Sequence, residues 1–147
     1  MQSTEVQARE EIRDLLMRYT AATDRFDLPG LAACFADDGE LRTPAGPPMV
    51  GPDDIASGLA AQVLPDTGRP APRYVHHHVS STAISDVTTD SAAATSYFTV
   101  FTDAGVDHWG RYRDRFVTGA DGRWLFASRR ISVDGFAENS RMRPAAD

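Results

Sequence analysis

The chain has 147 residues, of which 41% are hydrophobic, and a formal net charge of -6 at pH 7. This length supports one compact domain with its own core and is too short for two ordinary domains, so we expect a single domain over residues 1–147. The negative charge argues against a nucleic-acid partner, because binding to a phosphate backbone requires a basic face. All 15 basic residues are arginine, which excludes Schiff-base and phosphate-loop chemistry that depends on lysine.

The sequence contains no stretch that approaches the length of an apolar membrane-spanning helix, and its first residues lack the basic-then-apolar order of a signal peptide. We therefore expect a cytoplasmic protein without a membrane partner. The single cysteine, Cys34, has apolar neighbours on a short predicted helix and is interpreted as part of the core. Glycine-rich phosphate loops, dinucleotide-binding fingerprints and paired CxxC motifs are absent from the sequence, so no cofactor is expected.

Helical patterns dominate the first third of the chain. From about Val6 to Thr23, apolar residues recur at helical spacing, which predicts an amphipathic helix packed against a core. Asp27 is predicted to cap a second short helix, and a third helix is predicted from Asp53 to Val63. Between these helices, Asp37 to Gly39 is interpreted as a turn, and a short strand pair is predicted within Glu40 to Val50.

Strand patterns dominate the remainder. The segment Leu64 to Pro72 is predicted to be a loop, and the tail from Glu138 to Asp147 is expected to be solvated. The short, turn-rich connections between the long strands predict an antiparallel meander. We therefore expect an α+β fold, in which a curved antiparallel sheet wraps around three N-terminal helices and leaves a cone with a pocket at its open end. The four long strands are predicted at Arg73 to Asp86, Ser91 to Thr102, Val106 to Thr118 and Arg123 to Val133.

Three of the four histidines are consecutive at the start of the first long strand: His76, His77 and His78. Because side chains alternate along a strand, His77 is predicted to face opposite to the other two. Imidazole has an unperturbed pKa near neutrality and can exchange protons with a substrate. The candidate carboxylate partner is Asp24 at the end of the first helix, which faces inward only if that helix ends or bends before Phe26.

Two other interpretations of these histidines remain open. His76 and His78 could form a metal site with His108, but no carboxylate follows at the expected short interval, so a site without metal is favoured. Alternatively, His77 is simply a hydrogen-bonded structural residue and Asp24 a solvated carboxylate at a helix end.

Alternating charge characterises the predicted strand segment 111–115, where three arginines are separated by Tyr112 and Asp114. Burying three arginines would be costly, so Tyr112 and Asp114 are expected to face inward. One of the adjacent residues Arg129 and Arg130 is expected at the mouth of the pocket, because neighbours on a strand point to opposite faces.

Several motifs, taken in their order along the chain, resemble the SnoaL-like family over about residues 5–135. The resemblance implies the cone of the nuclear transport factor 2-like proteins, which include scytalone dehydratase, ketosteroid isomerase and bile-acid dehydratases. The motifs are Tyr19-Thr20-Ala21-Ala22-Thr23-Asp24, Phe35-Ala36-Asp37-Asp38-Gly39, His77-His78-Val79-Ser80-Ser81, Gly110-Arg111-Tyr112-Arg113-Asp114-Arg115-Phe116 and Asp121-Gly122-Arg123-Trp124.

The resemblance also implies roles for individual residues. In the dehydratase branch, an aspartate at the end of the first helix pairs with a histidine at the start of the first long strand, which corresponds to Asp24 and His77. Bile-acid dehydratases use a tyrosine five residues before that aspartate, and Tyr19 stands at this spacing. Scytalone dehydratase has a second histidine on the next long strand, whereas residues 97–102 contain none. A single histidine–aspartate pair is therefore expected.

The resemblance implies a cofactor-independent dehydratase or isomerase that acts on a hydrophobic polycyclic or polyketide-type metabolite. A polyketide cyclase that performs aldol closure and a non-catalytic ligand-binding or accessory subunit are the alternatives. A homodimer is expected through the outer face of the long sheet, because helices cover only the other face. An aromatic and apolar pocket wall is expected from Phe35, Met49, Tyr97, Phe101, Trp109 and Tyr112.

Overall fold

The computed structural model describes residues 3–62 and 68–144. The predicted end of the third helix at Val63, the first part of the predicted loop and the last three residues of the tail lie outside the described residues. The helices are α1 (Ser3–Asp24), α2 (Leu28–Ala32) and α3 (Pro52–Gln62). The strands are β1 (Phe35–Arg42), β2 (Met49–Val50), β3 (His76–Ser85), β4 (Ser91–Thr102), β5 (Gly105–Thr118) and β6 (Trp124–Phe136).

The helices form where the sequence predicts them. The apolar stripe of α1 packs into the core, and its residues Ile12, Leu15 and Leu16 are at most 2% exposed. Asp27 caps α2, because its side chain accepts a hydrogen bond from the Gly30 backbone N–H at 2.9 Å. No helix in the described part of the chain is long and apolar enough to cross a membrane.

The six strands form one curved sheet in the order β2-β1-β6-β5-β4-β3. The predicted antiparallel meander from β3 to β6 is confirmed. The sequence interpretation missed that β1 pairs with β6 in parallel, and the turn predicted at 37–39 is instead an irregular part of β1. The close approach of β1 to β6 requires glycine at position 39, because a Cβ there would lie only 2.8 Å from the Phe126 carbonyl oxygen.

The main core lies between the three helices and the inner face of the sheet. Trp124 and Phe126 on β6 belong to it, as expected, and so does Cys34, which is 3% exposed. A second apolar cluster lies farther along the sheet and contains Phe98 and Val100 of β4 with Tyr112 of β5. The helices do not fill the cone at this second cluster, and the space left there is the cavity described below.

The described part of the C-terminal tail packs against the sheet, which corrects the expectation of a solvated tail. Ser140 is 1% exposed, and its hydroxyl donates to Asp107 Oδ1 at 2.8 Å. The Arg141 backbone N–H donates to Asp107 Oδ2 at 2.6 Å. This segment, residues 138–144, is called the C-terminal strap below.

A buried ion pair joins β5 to β6 in the interior. Arg129 and Asp114 are 1% and 3% exposed, and two guanidinium nitrogens each donate to a different carboxylate oxygen at 2.8 Å. The guanidinium carbon lies 3.9 Å from the centre of the Tyr112 ring. Arg129 is therefore not at the pocket mouth, and Arg130 is exposed on the outer face, so neither fulfils that expectation.

We expect Arg129→Met to lower the free energy of unfolding by about 3–5 kcal/mol, because it leaves the Asp114 carboxylate buried and unpaired. The double substitution Arg129→Met with Asp114→Leu should recover most of this loss, since it removes both buried charges. Urea denaturation monitored by circular dichroism measures both values. A single variant as stable as the wild type would contradict the assignment.

Candidate functional site

A cavity of about 630 Å³ opens between the helices, the inner face of the sheet and the C-terminal strap. Most of its wall is apolar, and the polar side chains on it are few, as in typical small-molecule sites. Its titratable lining residues are Tyr19, His77, His108, Tyr112 and Asp134. The apolar part of the wall includes Phe26, Leu28, Leu31, Leu59, Val75, Phe98, Ile131, Val133, Phe136 and Met142.

The structure brings Asp24 and His77 together at the wall of this cavity. Asp24 Oδ1 lies 2.7 Å from His77 Nδ1 and also accepts the His77 backbone N–H at 3.1 Å. An ionised carboxylate only accepts hydrogen bonds, so Nδ1 carries the proton in this contact. The other ring nitrogen, Nε2, makes no hydrogen bond to any residue in the described ranges. His77 thus presents an oriented imidazole to the cavity.

The end of α1 directs Asp24 inward. The helix ends at Asp24, and Phe26 adopts a left-handed backbone with φ of 55°. The backbone N–H groups of Phe26 and Asp27 donate to the carbonyls of Thr23 and Ala22 at 3.1 and 2.9 Å, which closes a Schellman motif. A bulky residue at this position is strained, and such strain is often found at functional sites.

A second histidine–carboxylate pair faces the same cavity. His108 Nδ1 lies 2.8 Å from Asp107 Oδ1, and Asp107 is 1% exposed. Burial lowers the pKa of His108, and the adjacent Asp107 carboxylate offsets only part of that effect. The nearby His77 ring lowers the pKa of His108 further. A neutral His108 that donates through Nδ1 leaves Nε2 as an acceptor.

His108 corrects the expectation of a single histidine in the site. The β5 residues with inward side chains include Tyr112 and His108, four positions apart, so strand alternation alone could have predicted the orientation of His108. Asp107 was not predictable in this way. Val100 pairs with His108 and Phe101 with Val106, which leaves Asp107 as the extra residue of a β-bulge that turns it inward.

Two tyrosines lie at the inner end of the cavity beside the buried Arg129. The Arg129 guanidinium carbon is 4.3 Å from the ring centre of Tyr19, and Arg129 is 1% exposed. Burial raises the pKa of Tyr19, and the positive charge of Arg129 offsets part of this rise. Burial also raises the pKa of Tyr112. Both phenols therefore stay protonated near neutral pH and can donate hydrogen bonds.

The predicted pocket wall is mostly wrong. Tyr112 lines the cavity, but Phe35 and Met49 lie in the main core instead. Tyr97 and Trp109 are 56% and 39% exposed on the outer face of the sheet.

Phe101 also lies on the outer face, where its ring centre is 4.7 Å from that of His78. The sequence showed that these residues are aromatic, but it did not show which residues of β4 face inward. Phe98 and Val100 do, whereas Tyr97 and Phe101 face outward. The actual apolar wall therefore comes largely from aliphatic residues, together with Phe26, Phe98 and Phe136.

The structure separates the three histidines of the alternative metal site. His76 and His78 are exposed on the outer face of β3, whereas His108 lines the cavity on the inner side. Within residues 3–62 and 68–144, no group of three or more histidine, cysteine, aspartate or glutamate side chains is arranged to hold a metal ion. The His76, His78 and His108 interpretation is therefore wrong.

Comparison with known proteins agrees with this architecture. A model of the SnoaL-like domain matches residues 4–130. The chain belongs to the SnoaL-like family. Its fold is that of the nuclear transport factor 2-like cone, as the sequence motifs implied. No curated protein matches the chain.

Three solved structures illustrate the similarity of this SnoaL-like domain to known folds. A Catenulispora acidiphila protein in complex with S-DNPA is 28% identical, with a TM-score of 0.74 over 88% of this chain and 95% of the other. ActVI-ORFA from Streptomyces coelicolor is 27% identical, with a TM-score of 0.73 over 87% and 98%. A protein with a cystatin-like fold from Nostoc punctiforme is 26% identical, with a TM-score of 0.73 over 86% and 90%.

The lowered pKa of His108 predicts a specific loss of stability in acid. As pH falls below about 6.5, the unfolded chain binds a proton on this residue that the folded protein does not, so folding becomes less favourable. Replacing His108 with glutamine should remove this component of the pH dependence. Urea denaturation of both proteins between pH 8 and 5 measures it, and identical pH profiles for the two would contradict the prediction.

Proposed function

We propose that this SnoaL-like protein is a cofactor-independent acid–base enzyme, a dehydratase or isomerase for a hydrophobic polycyclic or polyketide-type metabolite. The observation that carries the proposal is the contact between Asp24 and His77 at the wall of a mostly apolar cavity. An imidazole whose Nδ1 is held by a carboxylate has its Nε2 oriented for proton transfer. A cavity of about 630 Å³ has the size of a small-molecule site.

In the proposed reaction, His77 Nε2 removes a proton from the carbon next to a substrate carbonyl. The electron pair of the broken C–H bond passes into the substrate and gives an enolate. In a dehydration, the enolate expels hydroxide from the neighbouring carbon, and the imidazolium returns its proton to make water. In an isomerisation, the proton returns to another carbon. Both routes regenerate a neutral imidazole, and Asp24 stabilises the imidazolium between the two steps.

Tyr19 and His108 supply the remaining polar contacts in this proposal. The Tyr19 hydroxyl donates a hydrogen bond to the enolate oxygen, and its raised pKa keeps it a donor throughout the reaction. His108 accepts a hydrogen bond from a substrate hydroxyl through Nε2. The apolar wall excludes water, which strengthens both contacts.

The family and its structural neighbours support this class of function. The family match covers residues 4–130, and a neighbour of similar fold binds the small molecule S-DNPA. ActVI-ORFA, which is 27% identical, is a second neighbour of similar fold. These similarities favour a small-molecule site in the cone, and the choice between lyase and isomerase rests on the reaction assay.

A ligand-binding role without chemistry is the second candidate. It is favoured by the second contact of Asp24, whose carboxylate also accepts the His77 backbone N–H and so ties α1 to β3. In that case, the Asp24 carboxylate stabilises the contact between α1 and β3, and its charge takes no part in a reaction. The next experiment distinguishes the two candidates.

We expect His77→Gln to lower kcat by about 10²–10⁴-fold, because the variant lacks the imidazole that transfers the proton. Asp24→Asn keeps an oxygen that can accept the His77 backbone N–H but removes the charge that stabilises the imidazolium, so it should have a similar effect. The double variant should be no worse than the more damaging single variant, since both residues act in one step. Turnover of candidate hydroxylated polyketides, followed by mass spectrometry, measures these values.

His76→Ala and His78→Ala are matched controls, because both histidines lie on the same strand and face outward. Their turnover should stay near that of the wild type. A double variant that still turns the substrate over at the wild-type rate would overturn the acid–base roles of His77 and Asp24. A wild type that binds these compounds without converting any of them would favour the binding role.

We also propose that the chain forms a homodimer through the aromatic part of the outer sheet face. Tyr97 and Trp109 lie on adjacent strands, and Val106 nearby is 41% exposed. Exposed apolar patches of this kind mark interaction sites. Light scattering at micromolar concentration should give twice the chain mass, and Trp109→Asp should shift it toward the monomer mass. A monomer mass for the wild type would contradict the proposal.

A further inference from the structure

A shallow groove of about 340 Å³ crosses the outer face of the sheet where β1, β6, β5 and β4 run side by side. Besides the buried Arg129, four arginines line it: Arg42 from β1, Arg130 from β6, and Arg113 and Arg115 from β5. All four are exposed. The groove lies on the opposite side of the sheet from the cavity that contains His77.

The arginines are direct cross-strand neighbours. Arg42 pairs with Arg130 in the β1–β6 register, and Arg130 pairs with Arg113 in the β5–β6 register. Side chains directly opposite one another on neighbouring strands stand about 4.5–5.5 Å apart at Cβ, where like charges are destabilising. A row of three such residues is therefore unfavourable unless a negative charge compensates it.

Only one of the four arginines has an ionic partner within the described ranges. Arg42 donates to Glu40, which lies on the same strand. In residues 3–62 and 68–144, Arg113, Arg115 and Arg130 form no ion pair and no side-chain hydrogen bond. Their neighbour Arg111 is different, because it is paired with Asp134 at 3.0 Å. Three exposed arginines thus line the groove without an ionic partner among the described residues, and the carboxylate of Asp114, which also lines it, is paired with the buried Arg129.

We propose that this groove is a binding site for a compact polyphosphate-type anion, such as the diphosphate group of a small molecule. Guanidinium groups bind phosphate oxygens in pairs and with defined geometry. At neutral pH the terminal phosphate of such a group carries about -1.5 to -2 charges and the inner phosphate about -1. Two linked phosphates therefore match the three unpaired arginines in charge. The exposed hydroxyl of Thr95, which is in register with Arg113, adds a donor at the edge of the groove.

The charge of the whole chain favours a compact anion over an extended one. The net charge is -6, so a nucleic acid or an anionic membrane would be repelled by the rest of the surface. A small anion enters the groove within a Debye length of the arginines, about 8 Å at physiological salt, and is screened from the more distant acidic residues.

Isothermal titration calorimetry with inorganic pyrophosphate at 0.15 M salt tests the proposal. We expect saturable binding at one site per chain, and weaker binding of inorganic phosphate. Arg113→Gln and Arg130→Gln should each weaken pyrophosphate binding at least tenfold. The same ligand should raise the Tm of the wild type and leave the Tm of the double variant unchanged, because only the bound folded state is stabilised.

Arg123→Gln is the matched control, since it removes one exposed arginine that is paired with Asp121 on a distant hairpin. It should bind pyrophosphate as the wild type does. The proposal is overturned if the wild type shows no saturable binding at this salt concentration. It is also overturned if the control loses as much affinity as Arg113→Gln and Arg130→Gln, because the effect would then follow net charge alone.

Discussion

The buried pair of Arg129 and Asp114 is the interaction on which the rest of the cone depends. Burial by itself lowers the pKa of Arg129, but the charge and hydrogen bonds of Asp114 together with the nearby Tyr19 and Tyr112 give a net rise of this pKa, so the guanidinium stays charged inside the protein. Its Nη1 has no hydrogen-bond partner among the described residues, and the Tyr19, Tyr112 and Phe126 rings surround the guanidinium carbon within 4.6 Å. These ring contacts and the ion pair hold the cation in the interior, and two of the three rings, Tyr19 and Tyr112, also line the inner end of the cavity.

The two histidines of the cavity are held by carboxylates that also hold the backbone. Asp24 accepts the His77 backbone N–H and so joins the end of α1 to the start of β3. Asp107 accepts the Ser140 hydroxyl and the Arg141 backbone N–H and so joins the C-terminal strap to β5. The elements that enclose the cavity are therefore tied through the same groups that orient the imidazoles. Loss of either carboxylate affects the walls of the site together with its polar groups.

Local patterns in the sequence predicted most of the fold, and long-range relations account for what they missed. Local signals predicted elements that are present in the structure. The apolar spacing around Leu15 and Leu16 predicted α1, the Asp27 cap predicted α2, and the short connections predicted the hairpins between β3 and β6. The parallel pairing of β1 with β6 joins segments about 90 residues apart and has no local signal. The inward position of Asp107 depends on a bulge, and the burial of Arg129 depends on a partner on another strand.

The alternation of charge on β5 connects the interior of the cone to its outer face. From Arg111 to Arg115, arginines point outward, whereas Tyr112 and Asp114 point into the core. A shift of one residue in the pairing of this strand would bury three arginines and expose the carboxylate that neutralises Arg129, so this register is strongly specified. The same alternation that places Tyr112 in the cavity therefore places Arg113 and Arg115 in the outer groove. The register of β5 therefore couples the polar groups of the cavity to the arginines of the outer groove.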